Sequence, residues 1–323
     1  MNWRWGILAT GNIAGSMAEA LAQVPGAERL AVASRDLTKA EDFAQKWGVQ
    51  RAYGSYEALQ ADSDVDVVYV ATPNALHPEN VLACLEAGKH VLCEKPMTSS
   101  SADTQLCVET ARGKGLFLME AMWTRFLPAL KQAKAVIAEG RIGEPFLIRA
   151  NAVVWRDPLN WPNLFNPALG GGAMLDLGVY PLAVAQYLMG DIVRAEAEMC
   201  RGETGVDILS LLNVRFASGT LGQLSCGFAG DMPVVSEVFG SKGHIRISPP
   251  LYRPTRIEIV AEGTSEILDL EPDGNGYAHE VVEVQRCLDA GLTESPAMPL
   301  SQSIDTARII EDLLAGRRFA KRA

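Results

Sequence analysis

The run Val65-Asp66-Val67-Val68-Tyr69-Val70-Ala71 constrains this chain more than any other feature. Beyond Asp66 it is continuously apolar and rich in β-branched residues, which suit a pleated backbone. A strand with one face in water alternates polar and apolar side chains. One that does not alternate is covered on both faces, as in parallel sheets crossed by helices. The flanking sequence repeats this logic. Strands are read at Trp5–Ala9, Leu30–Ser34, His90–Cys93 and Leu116–Met119, and helices at Asn12–Val24, Pro78–Ala87 and Ser100–Arg112. A further helix starts at Asp36-Leu37-Thr38-Lys39 and stops at Gly48, with Asp and Gly in their preferred capping places. The alternation predicts an α/β unit on a parallel sheet.

The second half follows another rule. Helices are read at Pro128–Glu139, Met174–Leu188, Ala278–Ala290 and Ser301–Ala315, a strand at Pro145–Val154, and a Pro/Asn/Gly-rich loop at Asp157–Gly172. Short β-rich segments then succeed one another at Ile208–Phe216, Thr220–Cys226, Val234–Phe239, His244–Ile247, Arg256–Val260 and Glu266–Leu270. Strand after strand without helices predicts an antiparallel sheet. The boundary is placed near Met122, giving domains 1–122 and 123–323. The last helices are free to pack on either.

Composition narrows the function classes. The chain has 29 basic and 39 acidic residues, a formal net charge of −10. A nonspecific nucleic-acid binder needs the opposite sign, and an anionic membrane surface is disfavoured for the same reason. Six cysteines form no C-x-x-C pair and match no zinc spacing. They are read as reduced thiols. The four histidines show no ligand spacing, so no metal is expected. With no run near the ~18 apolar residues of a membrane span, the chain is expected to be soluble and cytoplasmic.

The first strand runs into Gly6-Ile7-Leu8-Ala9-Thr10-Gly11-Asn12-Ile13-Ala14 and then the first helix. The stretch is similar to a dinucleotide-binding fingerprint, with Ala9, Gly11 and Ala14 at the three glycine positions. Gly11 lets backbone approach a pyrophosphate, and the helix N-terminus supplies amide donors. The second strand ends Ala33-Ser34-Arg35-Asp36. An acid usually binds the adenosine ribose hydroxyls at this strand end. Here Arg35 suits a 2′-phosphate, Ser34 can donate to it and Lys39 adds charge. The coenzyme expected is therefore NADP rather than NAD. The competing view is that Arg35 is a surface charge at the next helix.

Two further clusters carry chemistry. Glu94-Lys95-Pro96 follows a strand, and ligands in open α/β sheets sit outside the carboxyl ends of strands. Gly170-Gly171-Gly172 precedes a helix holding Asp176 and Tyr180. The glycines are read as allowing backbone to approach a ligand. Asp176 and Tyr180, four apart, share a helix face. Their apolar neighbours make the helix look buried, so both polar groups need a partner or a ligand.

In this order and spacing, the dinucleotide domain, Glu94-Lys95-Pro96 and Asp176…Tyr180 resemble the Gfo/Idh/MocA oxidoreductases. Met119-Glu120-Ala121-Met122-Trp123-Thr124-Arg125-Phe126, Leu164-Phe165-Asn166-Pro167-Ala168-Leu169-Gly170-Gly171-Gly172 and Gly276-Tyr277-Ala278-His279-Glu280 look like its branch of dimeric dihydrodiol dehydrogenases and NADP-dependent D-xylose dehydrogenases. The resemblance implies an N-terminal Rossmann domain and a C-terminal α+β domain with a large, open, mostly antiparallel sheet. It implies a homodimer or higher homo-oligomer through that sheet. It implies that Lys95, Asp176 and Tyr180 are catalytic and face the nicotinamide. Thr10, Gly11, Asn12, Ile13, Ser34, Arg35, Lys39, Thr72, Pro73, Asn74, His77, Glu94, Lys95, Trp123 and Arg125 are then expected to bind the coenzyme.

Alcohol oxidation sends a hydride to the coenzyme and a proton to a base within hydrogen-bond reach. Tyr180 is the favoured base. A lysine ammonium nearby lowers a phenol's pKa and can hold the developing alkoxide. Asp176 would orient Lys95 or a substrate hydroxyl. Trp123, Trp155, Arg156, Trp161, Phe165 and Tyr277 are expected to wall the substrate, a polyol, sugar or cyclic diol, with Arg125, Asn160 and Asn166 as further polar groups. Two other activities compete. One is a redox-assisted glycosidase that retains NAD; the other is a coenzyme-sensing regulator without catalysis.

Overall fold

The computed structural model describes residues 1–321. Its residues fall into two compact units, Met1–Trp123 with Asp273–Ile304, and Thr124–Pro272 with Asp305 onward. The first unit opens β1 (Trp3–Leu8), α1 (Asn12–Gln23), β2 (Ala27–Ala33), α2 (Leu37–Trp47), β3 (Arg51–Tyr53), α3 (Tyr56–Gln60), β4 (Val67–Val70), α4 (His77–Glu86), β5 (His90–Glu94), α5 (Ser101–Lys114) and β6 (Leu118–Ala121). The last strand lies two residues later than the sequence suggests. The six strands pair in parallel in the order β3-β2-β1-β4-β5-β6. The order reverses between β1 and β4, which makes the crevice at their carboxyl ends the expected ligand position.

Local chemistry explains the elements. Every residue of β4 is buried, as its unbroken apolar run requires. Asp36 caps α2 by accepting from the N–H groups of Thr38 and Lys39, and Gly48 closes it at φ 64°. At the other end of the sheet Ser100 caps α5. β3 and α3 are too short for periodicity to reveal.

The second unit contains α6 (Pro128–Ala138), β7 (Pro145–Val153), a π-helical turn (Met174–Gly178) running into α7 (Val179–Met189), β8 (Ile192–Arg201), β9 (Asp207–Phe216), β10 (Leu221–Gly227), β11 (Ser236–Gly240), β12 (Gly243–Ile247), β13 (Arg256–Ala261) and β14 (Thr264–Asp269). The first unit then receives α8 (Ala278–Asp289), which packs on α1. The helix α9 (Leu300–Leu314) follows, and β15 (Phe319–Ala320) adds the last strand. In the second unit the sheet has nine strands, ordered β14-β13-β12-β11-β7-β10-β9-β8-β15. Its pairs are antiparallel except β7 with β10. One face is core: Leu212, Val214 and Phe216 of β9 and Leu224 and Cys226 of β10 are buried, with α7 packed on β7 and β10 and the π turn on β9 and β10. The stretch Pro167–Met189 is apolar and long enough to cross a membrane by length and composition, but 72% of its most apolar window is buried inside the protein. That is the condition of a core helix.

Candidate active site

The loop expected to receive a coenzyme is built where β1 meets α1. Ala9 takes φ 86°, a left-handed conformation that costs a non-glycine residue about 1–2 kcal/mol. It donates its N–H to Ala33 O at 2.9 Å. Gly11 stands at the N-terminus of α1, with no side chain capping the helix. A Cβ built on Gly11 meets nothing within 4 Å, so the fold itself does not require glycine there. Open amides, a helix dipole and room for backbone contact fit a pyrophosphate. A cavity of about 350 Å³ adjoins the loop, lined by Thr10, Gly11, Asn12 and Gly15 of the loop and α1 and by Lys39, Asp42, Phe43, Lys46 and Trp47 of α2. Ile13 lies partly buried in the first turn of α1.

At the end of β2, Ser34 is buried and Arg35 exposed. Asp36, not Arg35, caps α2, and Ser34 Oγ accepts the Asp36 N–H at 3.3 Å. Arg35 lies against Tyr56, whose phenol burial pushes up while the guanidinium pulls it down.

Past β4 comes Thr72-Pro73-Asn74. Thr72 is buried, Pro73 exposed and Asn74 partly buried. His77 is fully buried, with Nδ1 2.9 Å from Pro96 O and Nε2 2.8 Å from Thr72 O. Both ring nitrogens therefore face backbone carbonyls. Carbonyls only accept, so a neutral ring donates to one of the two. Burial pushes the ring pKa down, and the Lys95 charge adds to this.

Lys95, at the end of β5, is partly buried. Two buried carboxylates hold its turn. Glu94 Oε2 accepts the Lys95 N–H at 3.1 Å, and Glu120 Oε1 accepts the Met97 N–H at 2.9 Å. The Tyr69 hydroxyl donates to Glu94 Oε1. Burial pushes the Glu94 carboxyl up, while Tyr69 and Lys95 oppose the rise. Trp123 and Tyr277 of the same unit stack with ring centroids 4.3 Å apart.

In the second unit, the helix expected over Met174–Leu188 begins as a π turn, and Asp176 lies inside it. Tyr180 follows in the first turn of α7, 7% exposed, with its ring 5.7 Å from that of Tyr252. Arg125 is buried and donates Nη2–H to Ala183 O at 3.3 Å. Trp155 and Trp161 are exposed; Arg156 lies over the Trp161 ring at 5.0 Å, and Phe165 packs on Phe228. Asn166 caps the following turn through Ala168 N–H, and Asn160 donates to Asp157.

The glycine run has a reason within the fold itself. Gly170 takes φ 75°. A Cβ on Gly171 would stand 2.7 Å from Leu164 O and 2.8 Å from Asn166 O, and one on Gly172 2.5 Å from Asp207 Oδ1. Protein backbone and a buried acid are by themselves enough to demand Gly171 and Gly172. Sequence reading passed over Tyr69, Asp207 and Glu280 in both units. No spacing in the sequence marks any of the three. Among the described residues no cluster of three His, Cys, Asp or Glu side chains could hold a metal ion.

Residues 3–122 match the family model described as an oxidoreductase family with an NAD-binding Rossmann fold, and residues 130–246 match the GFO/IDH/MocA C-terminal domain. A Bos taurus protein named trans-1,2-dihydrobenzene-1,2-diol dehydrogenase is 37% identical, covering 97% of this chain and 96% of its own. Its Homo sapiens namesake is 36% identical over the same shares. Among solved structures, a 3-ketoreductase from Actinomadura kijaniata in complex with NADP and TDP-benzene is 27% identical, with TM-score 0.88 and 100% of both chains covered. An NAD binding oxidoreductase from Klebsiella pneumoniae is 25% identical, with TM-score 0.90, covering 100% of this chain and 99% of its own. The fold and loop define an oxidoreductase with an NAD(P)-binding Rossmann unit and a small-molecule substrate. The chain belongs to the Gfo/Idh/MocA family.

Proposed function

We propose that this chain is an NADP-dependent dehydrogenase oxidising a secondary alcohol of a cyclic trans-diol or a sugar such as D-xylose. The observation that carries the reading is full-length similarity to proteins named trans-1,2-dihydrobenzene-1,2-diol dehydrogenase. The absence of an acid from the Ser34-Arg35 end of β2 supports the choice of NADP. Ser34 and Arg35 would hold the 2′-phosphate, with Lys39 adding charge. The loop Thr10-Gly11-Asn12-Ile13 would receive the pyrophosphate, and Thr72, Pro73, Asn74, Glu94, Trp123 and Arg125 would complete the coenzyme site. His77 would serve it indirectly, through the backbone of Thr72 and Pro96.

When bound, NADP supplies the nicotinamide carbon that takes up the hydride. Tyr180 takes the hydroxyl proton. The Lys95 ammonium favours the phenolate and steadies the alkoxide as it forms. Asp176 orients Lys95 or a second hydroxyl. Trp123, Trp155, Trp161, Phe165 and Tyr277 offer aromatic faces to the ring of the substrate, and Arg156 offers a donor. Homodimerisation through the open face of the nine-stranded sheet is part of the proposal; Leu211 and Leu221 are exposed there.

Lys95→Ala and Tyr180→Phe should each lower kcat/KM on the order of 10²-fold or more, as expected for an acid–base group. Arg35→Asp should weaken NADPH binding and leave NADH binding unharmed. Turnover within a few-fold of the parent in both catalytic variants, or equal NADP and NAD affinities in the parent, would contradict the assignments.

A further inference from the structure

Asp207 opens β9 and is 2% exposed. Burial pushes its carboxyl up, and the bonds it accepts pull the other way. Oδ2 accepts the Met174 N–H at 2.8 Å and the Ser210 hydroxyl at 3.0 Å. Oδ1 lies against Gly172, where any Cβ would collide with it. Met174 is the first residue of the π turn that contains Asp176 and leads into Tyr180. That turn has no capping side chain of its own, because Ala173 flanks it. Its opening amide is satisfied from a strand that lies 33 residues further along the chain. Isolated π turns are uncommon and cluster at functional sites. They persist where the surroundings hold them.

We propose that Asp207 is a positioning residue for the reaction. Its carboxylate fixes the start of the π turn, and so the placement of Asp176 and Tyr180 along their helix. The inference rests on reading those two residues as reactive. Asp207 acts through the backbone of Met174. A turn released from this anchor can relax to ordinary α geometry, which changes the angular offset between Asp176 and Tyr180. Gly172 belongs to the same device, since only a residue without Cβ lets the carboxylate sit beside the chain.

The test measures NADP-linked oxidation of trans-1,2-dihydrobenzene-1,2-diol by the full chain, with hydrogen exchange read at residues 174–178. Asp207→Ala should lower kcat on the order of 10- to 100-fold, the scale of a small misplacement of reacting groups. The KM for NADP should stay within twofold, and exchange at the turn should quicken. Asp207→Asn keeps an oxygen for the Met174 N–H and should restore most of the rate. Introduced into Tyr180→Phe, Asp207→Ala should add little further loss. Should Asp207→Ala not fold, Asp207→Ser carries the same comparison. A folded alanine or serine variant with kcat within twofold, beside a damaged Tyr180→Phe, overturns this inference alone. An undamaged Tyr180→Phe overturns the reading beneath it and this inference with it.

Discussion

At the scale of single residues, Glu280 asks most of its surroundings. It lies in the first turn of α8, fully buried, and neither carboxyl oxygen has a hydrogen-bond partner. Burial pushes its pKa well above the ordinary 4.5, and the Glu94 carboxylate adds to the rise. The folded state therefore keeps a proton that the unfolded chain releases near pH 4.5. The stabilisation is complete below that pH and is lost as pH rises toward the folded value. Glu280→Gln cannot ionise. Its thermal stability relative to the parent should improve steadily between pH 4 and 8, measured by melting at fixed salt. A stability gap that does not change with pH would show that Glu280 titrates normally.

At the scale of elements, the N-terminus of α1 separates what the fold needs from what a ligand needs. Gly11→Ala places a methyl where the protein has no atom within 4 Å. Folding stability should change by less than about 1 kcal/mol, the scale of an N-cap substitution. Dinucleotide affinity should fall tenfold or more, because the methyl occupies the approach to the amides. Equilibrium unfolding and coenzyme titration check the two halves; unchanged affinity would remove the pyrophosphate from this loop. Elements whose signals are local were legible in the sequence. The unbroken run through β4 announced a doubly covered strand, and Asp36 and Gly48 marked the ends of α2. The π turn was not legible. Its apolar residues follow helical periodicity, and the acceptor that anchors it comes from a distant strand. Nor could local pattern show that β10 runs parallel to β7, since pairing between distant strands leaves no mark within either one. The glycines before the turn were visible, but the carbonyls and the carboxylate that require them were not.

At the scale of the whole molecule, the chain leaves its first unit at Trp123 and returns to it from Asp273 to Ile304. This return brings Tyr277 to Trp123 and lays α8 on α1. The first unit holds the β1–α1 loop, the Ser34-Arg35 strand end and the Lys95 turn, and the second unit holds Asp176 and Tyr180, the groups to which the proposed function gives roles. The central claim is that these groups serve hydride transfer from a carbinol carbon to NADP. The most direct measurement uses trans-1,2-dihydrobenzene-1,2-diol deuterated at its carbinol carbons, with NADP in the solution and the product nucleotide analysed by mass. The account predicts one deuterium in each reduced NADP released, one nucleotide per diol oxidised, and loss of the transfer in Lys95→Ala. Diol consumed without reduced NADP, or reduced NADP free of deuterium, would contradict it.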